Sequence, residues 1–194
     1  MASSRASASR PWLILAALEA VCFGPYFRSI GFYLDDWLHL ELAGDGKTGL
    51  LASMRAFAAR GGFSARPLDV PYFALFMSAG GAHPTFYRAV LVVLHLAVVA
   101  LFYLLCREFS DDRELSLLSA ALGLALPLGD ASELWWSVSQ QMLATALILA
   151  SLWRHAKRSR AGHRGPAELV LSQLLYLLAL LLYEGGIAFP LFLG

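Results

Sequence analysis

The chain has 194 residues, 58% of them hydrophobic and 15% charged, with 15 basic against 14 acidic side chains. A water-soluble domain carries about 25% charged residues; the net charge of +1 says nothing about nucleic acid, and outside the loops no basic patch interleaves with aromatics, so no nucleic-acid partner is expected. A mean hydropathy of +0.61, with apolar residues gathered in blocks, predicts an all-α, polytopic transmembrane helix bundle forming a single domain over residues 1–194.

The N-terminal ten residues, MASSRASASR, contain Arg5 and Arg10 and no acid. Such a segment opens many targeting peptides, but the apolar run behind it is closed by Gly24-Pro25 and not by an A-x-A-like cleavage site. It therefore reads as an uncleaved first membrane helix over Trp12–Tyr33, interrupted by Glu19 and Arg28. Residues 34–66 are mixed and polar, with Gly44, Gly46, Gly49, Gly61 and Gly62. They predict a structured outer loop with a short helix over Leu50–Arg60, where Leu51, Met54, Phe57 and Ala58 share one face.

Pro67–Ala79 is apolar but too short to cross upright, and it predicts a partial, re-entrant or tilted helix ended by Gly80-Gly81. Phe86–Cys106 is the clearest span. Leu115–Leu128, Gln141–Trp153 and Leu169–Tyr183 follow as apolar runs. Between them lie a charged loop (Arg107–Glu114), a short polar loop (Asp130–Val138, with Trp135 and Trp136) and a basic loop (154–167). The last residues, IAFPLFLG, are again apolar, which predicts the N-terminal part of a longer membrane module. Cys22 and Cys106 both fall in apolar segments and read as small hydrophobes.

Orientation follows from the basic residues. Arg154, Lys157, Arg158, Arg160 and Arg164 lie in a stretch without acids, and Arg5, Arg10, Arg107 and Arg113 border other spans. The positive-inside rule places all of these in the cytoplasm, with a cytoplasmic N terminus, as expected of a multi-pass protein of the inner membrane. Asp35, Asp36, His39, Arg66, Asp69, His83, Glu133 and Glu184 then fall on the outer face, with Trp135 and Trp136 at headgroup level.

An outer carboxylate can serve as a general base toward a hydroxyl or as a metal ligand, and an arginine can hold a phosphate in bidentate geometry. Each residue also has a plainer role. The acidic pair can simply end a helix, Arg66-Pro67 can open one, and Glu184 can stop one ahead of Gly185-Gly186. Arg88 and His95, seven positions apart on one face of the best span, suit interhelical hydrogen bonds, and Glu19 inside the first helix needs a partner. A transporter would place such groups at mid-membrane in broken helices, whereas most lie here at one interface. A non-catalytic scaffold would not need the acidic pair.

The order of YLDDW, SARPLDVPYFAL, GGAHPTFYRAVLVVLHLAVVALFYLL, DASELWWSVSQQMLATAL and LLYEGG resembles the N-terminal part of GT-C superfamily integral-membrane glycosyltransferases. The nearest likeness is to the protein O-mannosyltransferase-like branch that carries tetratricopeptide repeats. The chain departs where the family has an asparagine before the helix histidine (near Val92), a Lys-Glu pair (Tyr183-Glu184) and a Gly-Arg motif (Ser139-Gln140-Gln141). The resemblance implies transfer of a sugar from a polyprenyl-phosphate donor to an acceptor hydroxyl of a protein or glycan, on the outer face and with inversion. It implies Asp35 or Asp36 as catalytic base or metal-binding pair. It also implies Arg66, His83, Arg88, His95 and Glu184 as candidates for holding substrate or lipid phosphate. A divalent metal is compatible with the acidic pair but not required. Adjacent side chains on a helix diverge by about 100°, so one aspartate is expected to point into the site while the other caps or binds, and Asp35 is preferred because Asp36 can then cap WLHLEL.

Overall fold

The computed structural model describes residues 2–29, 31–44, 47–60, 65–126, 135–162 and 166–187. The expectations for Glu133, for most of the loop at 130–138 and for the apolar end at 188–194 lie outside the described residues, as does the side chain of Arg28. Among the described residues every regular element is helical: α1 (Ala2–Phe23), α2 (Tyr26–Ser29), α3 (Leu34–Leu42), α4 (Leu50–Ala59), α5 (Asp69–Gly80), α6 (Pro84–Ser110), α7 (Arg113–Ala125), a 3₁₀ turn (Trp136–Val138), α8 (Ser139–Ala161) and α9 (Pro166–Leu182).

The long α6 opens at Pro84, whose missing N–H costs nothing in the first helical turn, and continues through a run that is apolar apart from Thr85, Arg88 and His95 as far as Cys106. Its 27 residues reach about 40 Å. Among the described residues α6 is the one helix long and apolar enough to cross a membrane. Only 22% of its most apolar window is buried, which is unlike the core helix of a water-soluble fold. The other expected spans are shorter or more polar. α7 has 13 residues, α9 has 17, and the last turns of α8 carry Arg154, Lys157, Arg158 and Arg160. α5 has 12 residues and runs on to Gly80, with Gly81 as its C-cap.

α6 is the axis of the bundle. Along one side it packs on α1 and α7 through Leu15, Val99, Tyr103, Ala120 and Leu124. Along the other it packs on α8, which in turn carries α9. The larger core gathers at the N-terminal ends of α6 and α8, where Phe57 of α4, Tyr72, Phe73 and Met77 of α5, Tyr87 and Leu91 of α6, and Met142 of α8 meet. Trp136 sits in this cluster, 2% exposed, stacked on Tyr72 at 5.7 Å and beside Tyr87 at 4.8 Å. The sequence placed it at headgroup level. It is instead a core residue, because the aromatic rings of α5 and α6 supply an apolar pocket that local sequence cannot reveal.

The turn between α5 and α6 depends on glycine. A Cβ at Gly80 would lie 2.2 Å from the Phe86 ring, and Gly81 adopts φ +50°. The Tyr87 hydroxyl donates to the Gly81 carbonyl at 2.6 Å and fixes that turn. At the far end, the Asp112 side chain caps α7 by accepting from the Glu114 and Leu115 backbone N–H groups. Arg160 of α8 pairs with Asp111 and approaches Glu108, tying α8 to the end of α6.

Candidate functional site: a carboxylate and guanidinium cleft at the N-terminal ends of α3, α5 and α8

The acidic pair divides. α3 begins at Leu34 after the extended N-cap Tyr33, so Asp35 and Asp36 lie in its first turn, where carboxylates complement the helix dipole. Asp36 is 2% exposed. Its Oδ2 accepts the Tyr33 backbone N–H at 2.9 Å, closing the helix start on itself. Its Oδ1 accepts both the backbone N–H and the hydroxyl of Ser137, at 2.8 and 2.5 Å. Burial raises the Asp36 pKa, and these three donors oppose that shift. Asp36 therefore caps from the third helical position, one turn further in than the N-cap expected from the sequence, and latches α3 to the turn before α8.

His39, one turn on, extends the latch. Its Nδ1 lies 3.0 Å from the Ser137 hydroxyl, and its ring stacks on Phe73 at 4.2 Å. The single Ser137 hydroxyl proton points at Asp36, so His39 Nδ1 carries the ring proton and donates. Burial pushes the His39 pKa down to about 4, and the ring is neutral at pH 7. The order Asp–Ser–His is not that of a nucleophilic triad, in which the histidine takes the serine proton.

Asp35 is exposed and lines a cleft of about 350 Å³ together with His39, Arg60, Arg66, Asp69 and Gln140. The Leu68 N–H donates to Leu181 O at 3.2 Å, which brings the Arg66-Pro67 turn against the end of α9. Arg66 there forms a bidentate pair with Glu184, Nε to Oε2 at 2.6 Å and a terminal nitrogen to Oε1 at 2.5 Å. Its guanidinium also stacks over Tyr183 at 4.6 Å. Arg66 holds the Glu184 carboxyl down at about 2. In water such an exposed pair contributes little to stability, so its effect is chiefly to fix the direction of both groups.

Asp69, the first residue of α5, is 3% exposed, and its Oδ1 has no hydrogen-bond partner among the described residues. Burial raises its pKa to about 7; Arg66 opposes the rise and Glu184 adds to it. Gln140 is likewise 4% exposed with an unpartnered Oε1. Two buried acceptors without donors border one cleft, which suits a hydroxyl-bearing ligand. Native Asp69 keeps its proton to a higher pH than the unfolded chain, so its contribution to stability is present at low pH and is lost as pH rises from about 4 to about 7. His39 has the opposite sign, since its contribution is lost as pH falls from about 6.5 to about 4. In Asp69→Asn the Asp69 slope is expected to vanish, leaving a chain whose unfolding midpoint is flat from pH 6.5 to 8 and falls only on acidification. Thermal unfolding at a series of pH values checks this.

The remaining expected site residues are elsewhere. His83 is the exposed N-cap of α6. Arg88 donates to the carbonyl of Phe27, the second residue of α2. His95 is buried in the bundle, with Nδ1 2.7 Å from Glu19 Oε2. That contact supplies the partner Glu19 needs and joins α1 to α6. None of the three lines the cleft. Sequence reading passed over Arg60 and Ser137, and it took Gln140 only as a helix cap and as part of the departure from the Gly-Arg motif, not as a cleft residue. Arg60, at the end of the amphipathic α4 and followed by two glycines, carried the only local signal. Among the described residues no group of three or more His, Cys, Asp or Glu is placed to hold a metal ion. Asp36 already accepts at both oxygens, so the adjacent aspartates do not present two open carboxylates to one cation.

No family model, curated protein or solved structure matches the chain.

Proposed function

We propose that the chain is a membrane glycosyltransferase of GT-C type, or the N-terminal part of one, acting on a polyprenyl-phosphate-linked sugar at the extracytoplasmic face. The observation that carries this reading is the cleft itself, a space of about 350 Å³ lined by Asp35 and Asp69 together with Arg60 and Arg66. α8 runs from Gln140 in that cleft to Arg158 at the basic end, a rise of about 27 Å, close to the ~30 Å hydrocarbon thickness of a bilayer. A lipid phosphate could then meet the guanidiniums while its tail stays in the membrane.

In this reaction the acceptor O–H attacks the anomeric carbon from the face opposite the phosphate. The new C–O bond forms as the bond from that carbon to the phosphate oxygen breaks, giving inversion. Asp35 takes the hydroxyl proton, and the polyprenyl phosphate leaves with the electron pair, its charge met by Arg60 and by the Arg66 nitrogen that Glu184 does not use. Donor weakening of about tenfold is expected for Arg60→Met, chiefly as a raised KM, since one exposed charge contact to a phosphate is lost. Transfer of labelled sugar from a polyprenyl-phosphate donor to a peptide or glycan hydroxyl, with the full chain in liposomes, tests the function. Transfer that needs the protein supports it, and no transfer with any polyprenyl-phosphate sugar overturns it. A non-catalytic membrane scaffold is the second reading, favoured by the way Arg66 and Glu184 occupy each other.

A further inference from the structure

A second cleft lies at the other end of α8, and sugar transfer makes no use of it. It has a volume of about 300 Å³ and is lined by Trp153, Arg154, Lys157, Arg158 and Ala161 of α8 and by Glu168 in the first turn of α9. The α8 residues recur at helical spacing, so Arg154, Lys157 and Arg158 share one face, with Glu168 the one acid among the described lining residues. Arg154 pairs with Glu168 through one terminal nitrogen. Its Nε is shut from solvent with no acceptor among the described residues, and so is Nε1 of Trp153. Two buried donors without acceptors border one cationic cleft, and a lone N–H in such a place is costly unless something accepts from it. Lys157 Nζ lies 5.3 Å above the Trp153 ring, which keeps the ammonium over the cleft.

The wall beyond the cleft is apolar. α9 buries only Ser172, Ala179 and Leu182. It exposes Val170, Leu171, Leu174, Leu177 and Leu178 along the length that starts at Glu168. A ligand that fits both features has an oxyanion at one end and a hydrocarbon chain at the other. Basic residues at the end of α8 also complement the carbonyls of its last turn, but that role asks nothing of the Trp153 indole N–H.

We propose that this cleft binds the phosphate of an anionic phospholipid in the cytosolic leaflet, with an acyl chain lying along α9. The site is distinct from the carboxylate and guanidinium cleft and would exist in a membrane scaffold as well as in an enzyme. The Trp153 and Arg154 N–H groups donate to phosphate oxygens, and Lys157 and Arg158 supply charge.

The test is lipid retention by the full chain in neutral detergent, offered phosphatidylglycerol and phosphatidylcholine in equal amounts and read by native mass spectrometry. The expected result is retention of phosphatidylglycerol at least tenfold over phosphatidylcholine. The Lys157→Gln/Arg158→Gln variant is expected to lose about 30-fold in that affinity. Trp153→Phe, which keeps the ring and every charge, is expected to lose about threefold or more. Arg107→Gln, on the same face but outside the cleft, is expected to keep wild-type retention. Equal retention of the two lipids overturns the proposal. So does an equal loss in Arg107→Gln, which would mean diffuse surface charge, or displacement of the lipid by millimolar inorganic phosphate, which would mean a soluble anion. Thermal unfolding of each variant separates lost binding from lost folding, and a Trp153→Phe chain that is folded and binds as wild type also counts against the site.

Discussion

Asp36→Ala is expected to destabilise the chain by about 3–5 kcal/mol, enough to lower its unfolding midpoint by roughly 10 °C. Three donors converge on that carboxylate: the Tyr33 N–H, the Ser137 N–H and the Ser137 hydroxyl. Removing it strands the buried Ser137 N–H and the part-buried Tyr33 N–H and frees the serine on which His39 depends. Asp36 is itself 2% exposed, and Phe57 and Phe73 pack on the His39 ring one turn on, so water has no easy route to replace the lost acceptor. Asp36→Asn should fall between wild type and Ala. Its remaining oxygen can still accept from Ser137 or from Tyr33, but its NH₂ must then face a donor. Thermal unfolding of the three chains orders them, and an Asp36→Ala chain as stable as wild type would contradict the latch.

Asp35→Asn is expected to leave unfolding within about 0.5 kcal/mol of wild type, because the side chain is exposed and Asp36, not Asp35, supports the α3 start. The same change is expected to slow sugar transfer by about 10²–10⁴-fold, the usual cost of losing a positioned base. The two neighbours thus separate two functions that sequence alone presents as one motif. A stability loss in Asp35→Asn comparable to that of Asp36→Ala, or unchanged transfer in a folded Asp35→Asn chain, would contradict the assignment of roles.

Much of the fold could be read locally. α6 begins two residues before the expected Phe86 because Pro84 opens it, and α4 and α5 lie within a residue or two of their periodic apolar faces. The site was legible only in part. Asp35, Asp36, Glu184 and Arg66 could be named, but the partners of Asp36 and Arg66 lie far along the chain. Asp36 meets Ser137 across 101 positions and Arg66 meets Glu184 across 118. No periodicity encodes such pairs. Trp136 was misplaced for the same reason, since a tryptophan beside a polar loop looks interfacial until α5 and α6 close over it. α3 was legible only as the WLHLEL segment behind Asp36; it starts three residues earlier, at Leu34, through the Tyr33–Asp36 closure and burial of His39 and Leu40.

Sugar transfer as proposed requires the cleft and the basic end of α8 to lie on opposite sides of a membrane. Replacing Cys22 and Cys106 with alanine and introducing Lys47→Cys or Ser159→Cys, both at exposed positions, allows that to be measured with a membrane-impermeant thiol reagent on sealed cells and on inverted vesicles. The predicted result is that residue 47 reacts only from outside and residue 159 only from the cytosolic side. Reaction of both from the same side would contradict it.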